Sequence, residues 1–194
     1  LLHGLFLVLT QVAAVLPAWL PVAPPLWAWC LGVLGAVLLL LPAGVPGRGL
    51  GFLLLLPLLW VPVNRPALGE VEVWQWDVGQ GLSVLLRTRE HALLYDAGPR
   101  HGDFDLGERL GLPALRAKGI SRLDVLWLSH ADLDHAGGAE ALQRGLPIGG
   151  VLSGEAPALP AQLAAQPCID GASWRWDGVR FTTWRWQQAP AGNP

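Results

Sequence analysis

The distribution of charge constrains this chain more than any other feature of it. Residues 1–63 hold one formal charge, Arg48, and consist mainly of Leu, Val, Ala, Pro and Trp. Residues 64–194 hold all 15 acidic side chains and the other 12 basic ones, a formal charge of −3. The net charge of −2 over 194 residues therefore describes neither half. The first half reads as bilayer-facing and the second as a soluble domain.

Three apolar runs make up the first half. Leu1–Leu20 is interrupted by His3, Gln11 and Pro17. Leu26–Ala43 has no formal charge and no polar face, and as a helix its 18 residues would reach about 27 Å, near the thickness of a bilayer core. Leu50–Val63 contains Pro57 and Pro62 and reads as a short, tilted or re-entrant segment. No basic region precedes the first run, so a signal peptide is a poor reading. Arg48 alone does not fix a topology. The chain starts at Leu1 and stops at Gly-Asn-Pro, and both ends read as cuts through a longer protein.

Residues 64–69 (NRPALG) read as a linker, and residues 70–194 as a domain long enough to bury its own core. Its balanced charge provides no broad basic field, so any contact with nucleic acid has to rest on a local patch. Cys30 and Cys168 lie in different halves, which argues against an internal disulfide and leaves no cysteine-based zinc site. Strands are expected over Val71–Trp76, Leu82–Thr88, His91–Tyr95, Leu123–Leu128 and Ile148–Leu152. Helical segments are expected over Leu106–Lys118, where Gly111 and Pro113 limit the length or push the start later, over Ala139–Arg144 and over Pro160–Gln166. Ser173–Trp176 and Val179–Trp186 flank Asp177-Gly178, a pair suited to a two-residue hairpin turn. Hairpins mixed with strand–helix alternation predict an α/β sandwich.

Four potential metal ligands, His130, Asp132, Asp134 and His135, fall within six residues directly after the buried strand Leu123–Leu128. Imidazole nitrogen and carboxylate oxygen suit zinc, manganese or iron. In an extended backbone His130, Asp132 and Asp134 would project to one side with His135 adjacent. A calcium loop would need Glu at its twelfth position, and counting from Asp132 that residue is Gln143. The bland alternative, a solvated acidic turn, does not explain an apolar strand before the cluster and Gly137-Gly138 after it.

His-x-Asp-x-Asp-His, preceded by Ser129 and followed by Gly-Gly, resembles the metal motif of the ComEC family, a branch of the metallo-β-lactamase fold. The wider fold commonly has histidine where Asp132 stands. Asp77-Val78-Gly79-Gln80-Gly81 resembles the family's opening motif, Leu94–Pro99 its third-strand motif and Trp174–Phe181 its late hairpin. The resemblance covers roughly residues 26–190. It implies transmembrane helices followed by an α/β metallo-β-lactamase-like sandwich, here incomplete at its C-terminal end. It further implies two divalent cations, manganese or zinc, with His130 and Asp132 on one, Asp134 and His135 on the other, and Asp134 as the catalytic residue orienting water. Ligands from later in the fold are expected beyond Pro194, so the chain by itself is expected to be inactive. The implied role is hydrolysis of the DNA strand that is not imported. The implied partners are DNA in transit as a single strand, membrane lipid and other components of DNA uptake. The implied location is the bacterial inner membrane, multi-pass, with the hydrolase on its outer side. A hydrolase of other esters on the same fold, and a DNA-steering module without catalysis, stay open.

Asp77 and Asp96 each end a strand beside glycines. Both are candidates for orienting the metal loop through hydrogen bonds, and a turn-forming role is the competing reading, favoured for Asp77. His101, Asp103 and Asp105 read as a solvated loop. The tryptophans of the soluble half alternate along strands, where packing on a sheet face is the ordinary role and base stacking the alternative.

Overall fold

The computed structural model describes residues 24–42, 44–59 and 64–184. The chain divides into two compact units, Leu1–Pro62 and Val63–Pro194.

In the first unit, α1 (Leu26–Leu40) and α2 (Leu50–Leu59) pack on each other. Their contact is made of small residues: Ala28, Gly32 and Gly35 are buried on α1 and Gly51 on α2. A Cβ added to Gly35 would stand 2.7 Å from the Gly51 carbonyl oxygen, and one added to Gly51 would stand 2.5 Å from that of Gly35. The helices therefore approach through their backbones, as in membrane helix pairs. Their outer faces expose Leu26, Val33, Val37 and Leu40 on α1, and Phe52, Leu53 and Leu56 on α2. The 18-residue run does not become an 18-residue helix. Leu41 turns extended (ψ 152°) ahead of Pro42, the conformation that a following proline imposes. At 1.5 Å per residue α1 is about 22 Å long and α2 about 15 Å. Among the described residues no helix is long and apolar enough to cross a membrane. The run Leu1–Leu20 and residues 60–63 lie outside the described residues.

The second unit is built on a six-stranded sheet of order β1-β2-β3-β6-β7-β8. β1 (Glu72–Gln75), β2 (Val84–Arg87) and β3 (Ala92–Tyr95) form an antiparallel meander. β6 (Val125–Leu128), β7 (Val151–Ser153) and β8 (Gln166–Pro167) continue it in parallel from β3. Between β3 and β6 lie a two-residue hairpin, β4 (Arg100–His101) with β5 (Phe104–Asp105), and α3 (Leu112–Ala117). One turn of helix, α4 (Leu133–Ala136), and then α5 (Ala139–Gly145) connect β6 to β7. A separate hairpin, β9 (Ser173–Trp176) with β10 (Val179–Thr182), follows; residues 185–186 of the expected second strand lie outside the described residues.

Leu85, Leu94, Leu115, Leu123, Leu126, Leu128 and Leu142 are wholly buried in one cluster between the sheet and its helices. Each such leucine contributes about 1.5–3 kcal/mol relative to an exposed one. The helix expected over Leu106–Lys118 opens instead with π-helical Gly107–Gly111 and becomes α-helical only at Leu112, where Pro113 occupies the first turn. The helical segment expected over Pro160–Gln166 shrinks to a 3₁₀ turn, Ala161–Leu163, because Gln166 joins the sheet.

Asp177 and Gly178 both have positive φ (48° and 88°), the geometry a two-residue hairpin turn requires. The Asp177 carboxylate accepts hydrogen bonds from the Thr88 hydroxyl (2.7 Å) and the Glu90 N–H (2.8 Å), and lies 3.2 Å from His91 Nδ1. Its carbonyl accepts the Gly69 N–H at 2.7 Å. The segment 64–69 is thus fastened to the domain at its far end, and Arg65 pairs with Glu90. The Glu90 N–H first, then the Thr88 hydroxyl and His91, hold the Asp177 carboxyl down at about 2.

An unfolded Asp titrates near 3.9. The stabilisation from the charged Asp177 is therefore complete above about pH 4 and is lost as pH falls through about 2. Asp177→Asn is expected to lower the thermal midpoint at neutral pH, with the gap from the parent closing between about pH 4 and about pH 2. Calorimetric scans across that range check it, and a gap independent of pH would contradict it.

Candidate metal centre

β6 runs between β3 and β7, so the residue after Leu128 leaves a strand held on both sides. The loop that follows is short. Asp132 caps α4, and its carbonyl accepts the N–H groups of His135 (3.0 Å) and Ala136 (2.8 Å). This corrects the extended reading of the motif. Asp134 and His135 lie on a helical turn, and that turn brings them back toward His130. Ligand atoms of His130, Asp134 and His135 all fall within 4.8 Å of one another. Asp132 is not in that group; its side chain is 57% exposed and its Oδ2 stands 3.6 Å from His130 Nε2. Asp134 Oδ2 stands at the same 3.6 Å from His135 Nε2.

Asp96 organises the loop from beneath. It follows β3 with positive φ (58°), is wholly buried, and accepts three hydrogen bonds. Its Oδ1 takes the Ser129 N–H (2.7 Å), and its Oδ2 takes the Ser129 hydroxyl (2.8 Å) and His135 Nδ1–H (2.7 Å). With its one hydrogen given to Asp96, Ser129 Oγ is left to accept from His130 Nδ1–H at 2.8 Å. The network assigns the same tautomer to both imidazoles, leaving each Nε2 lone pair free. His130 Nε2 is buried and has no hydrogen-bond partner among the described residues. A buried lone pair without a donor is costly, and a cation satisfies it.

The donor set fits a divalent metal. Two donors about 2.1 Å from one cation at a tetrahedral angle stand roughly 3.4 Å apart, close to both His–Asp separations. Burial first, and then the neighbouring Asp96 carboxylate, raise the Tyr95 phenol above its ordinary value.

Two glycine loops press on the metal loop. Gly81 (φ 122°) has no room for a Cβ because the Asp134 carbonyl lies against it. The Ala97 N–H donates to the His135 carbonyl (2.7 Å), and the Gly138 N–H to that of Gly98 (3.1 Å). Asp77 serves its own loop instead, accepting the Gly79 N–H at 3.2 Å in a turn. Its segment meets the ligands through Gly81. In the His101–Asp105 stretch, Asp105 is buried and accepts the Glu108 N–H at 3.2 Å, a structural duty rather than a solvated one. Sequence reasoning missed two residues. Ser129 was noted only as a flank, although its place between the strand end and His130 was a usable signal. Glu155 reaches the loop from beyond β7 and accepts the Ala131 N–H at 3.1 Å. Nothing in its local sequence marks it.

Removing the negative charge under the loop is expected to weaken divalent-metal binding. Asp96→Asn should lower affinity about 10–100-fold, the usual effect of losing a group that orients a histidine ligand. Ser129→Ala, which removes the His130 contact and one of the three donors to Asp96 but leaves the Asp96–His135 bond in place, should cost less. Competition with a chromogenic chelator ranks the two, and a Ser129→Ala protein with the larger loss would refute the relay.

Residues 76–190 match the metallo-beta-lactamase superfamily. The chain is 38% identical over 174 residues to the competence protein ComA of Neisseria gonorrhoeae, covering 89% of this chain and 24% of that protein. It is 32% identical over 127 residues to recombination protein 2 of Haemophilus influenzae, 64% of this chain and 15% of that one. It is 40% identical over 86 residues to ComE operon protein 3 of Bacillus subtilis, 38% of this chain and 11% of that one. The chain thus spans at most 24% of the length of these three relatives. By the matched residues and these likenesses, the chain belongs to the metallo-β-lactamase superfamily and, within it, to the ComEC family.

Proposed function

We propose that this chain is the metal-dependent hydrolase portion of a membrane protein of DNA uptake, acting on phosphodiester bonds of the strand that is not imported. The observation that carries the reading is the buried, unpartnered Nε2 of His130 beside Asp132, with Asp134 and His135 converging on it. The role in DNA uptake draws on the relatives named for competence. Divalent cations at these residues would make water a nucleophile near neutral pH and offset charge on the phosphate oxygens. Asp132 adds a hard anionic donor, which favours manganese or a similar cation and leaves zinc suitable. Asp134, half-buried on the first turn of α4, would orient the attacking water with the carboxylate oxygen that the metal leaves free. Asp96 and Ser129 hold the two imidazoles so that neither turns a protonated nitrogen toward the reacting centre.

The apolar outer faces of α1 and α2 support a bilayer location for the first unit, with lipid as their solvent. We place the protein in the bacterial inner membrane, with the hydrolase on the outer side, where duplex arrives. DNA and other uptake components are its partners in this reading.

Incubating the whole protein of which we propose this chain to be a part, with duplex or single-stranded DNA in Mn²⁺ or Zn²⁺, tests the chemistry, since this chain by itself is expected to be inactive. Cleavage should require the metal and fall by about 10²–10⁴-fold in Asp134→Asn, the usual worth of a positioned acid–base group. DNA binding without cleavage would reduce the domain to a steering module. Ester hydrolysis with intact DNA would move it to another substrate. For the location, release of the protein from membranes by alkaline carbonate would remove the bilayer reading.

A further inference from the structure

At the opposite end of the sheet from the metal loop, the domain has a second site with its own chemistry. The β2–β3 turn and the connection from α3 to β6 enclose a cavity of about 220 Å³. It lies where β6 begins, whereas the metal loop lies where β6 ends. Asp124 and Ser129, the residues flanking that strand, are five steps or about 17 Å apart. The volume is below the roughly 300–1,000 Å³ of sites for drug-sized ligands, so it suits a small group.

Four arginines line this cavity, Arg65, Arg87, Arg89 and Arg122, with His91 and two acidic residues, Glu90 and Asp124. This is a local excess of cations in a half of the chain whose formal charge is negative. Both carboxylates are already committed. Glu90 is shared between Arg65 and, at 3.9 Å, Arg89. Asp124 pairs with Arg122 at 3.1 Å and accepts the Ala92 N–H at 3.0 Å. Arg87 is the informative member. It is only 7% exposed, it donates to the Lys118 carbonyl at 3.1 Å, and no carboxylate among the described residues comes within 4.0 Å of it. Burial depresses the pKa of this cation, and the charges of Glu72, its cross-strand neighbour, and Glu90 offset that only in part, neither being close enough to pair with it. An oxyanion in the cavity would offset the rest. Guanidinium forks match the planar edges of tetrahedral oxyanions, and several around one cleft focus the field there.

We propose that this cavity binds a phosphate-type oxyanion, either free or as part of a polynucleotide backbone. The proposal stands apart from the metal loop and does not require hydrolysis. Calorimetric titration of the full chain with inorganic phosphate, at ionic strength held constant with chloride, tests it. Arg89→Gln/Arg122→Gln, two exposed positions, is expected to weaken phosphate binding roughly tenfold to hundredfold, the order expected for lost charge-assisted hydrogen bonds. Arg87→Gln should do at least as much, with its melting curve used to confirm folding. His130→Ala should keep the parent affinity, which separates this cavity from the metal loop. A single-stranded oligonucleotide that competes with phosphate identifies the source as backbone; failure to compete, with phosphate still bound, identifies a free oxyanion. Phosphate no better bound than chloride, or equal affinity in the arginine variants, overturns the proposal.

Discussion

One buried carboxylate holds the centre of this domain together. Asp96 sits where β3 leaves the sheet, takes two hydrogen bonds from Ser129 and one from His135, and thereby fixes a loop on the neighbouring parallel strand. Its own N–H donates to the Trp127 carbonyl, so the backbone on which it stands is tied to β6 as well. A wholly buried anion with three donors is stable only while all three are present, because each lost donor leaves charge in a medium that cannot solvate it. The geometry of the ligand loop and the stability of the sheet's active end are therefore one property. Asp96 accepts a left-handed backbone to achieve this, which is a position where strain and function coincide.

Much of this was legible in the sequence because it is local. Short apolar runs marked β1, β2, β3 and β6 and overlapped β7, the Asp177-Gly178 pair marked the hairpin, and His130 to His135 stood out as ligand chemistry behind an apolar strand. What was not legible had two causes, local backbone effects too short to leave a pattern and contacts between distant segments. The conformation of the ligand loop was misread as extended because four residues of helix leave no periodicity to detect. Pro42 shortened α1 through a backbone restriction on Leu41 rather than through any change in hydropathy. Glu155 joins the loop only because β7 lies beside β6 in the sheet, and that neighbour relation is a fact of topology.

The arginines of the β2–β3 turn show the same division. Arg87 and Arg89 alternate along the end of a strand, and Arg122 precedes another, so nothing in the sequence gathers them. The parallel pairing of β3 with β6 brings the two strand ends side by side and makes a single cationic cleft from separate turns. A balanced overall charge concealed it.

The hydrogen bond from the Gly69 N–H to the Asp177 carbonyl has a consequence for biosynthesis. The residue that opens the domain is fastened by one that a ribosome adds more than a hundred codons later. Until that hairpin leaves the exit tunnel, the entry to β1 lacks this anchor and β1 has only its pairing with β2 to hold it. A nascent chain stalled shortly before Asp177 would thus present an unlatched sheet margin.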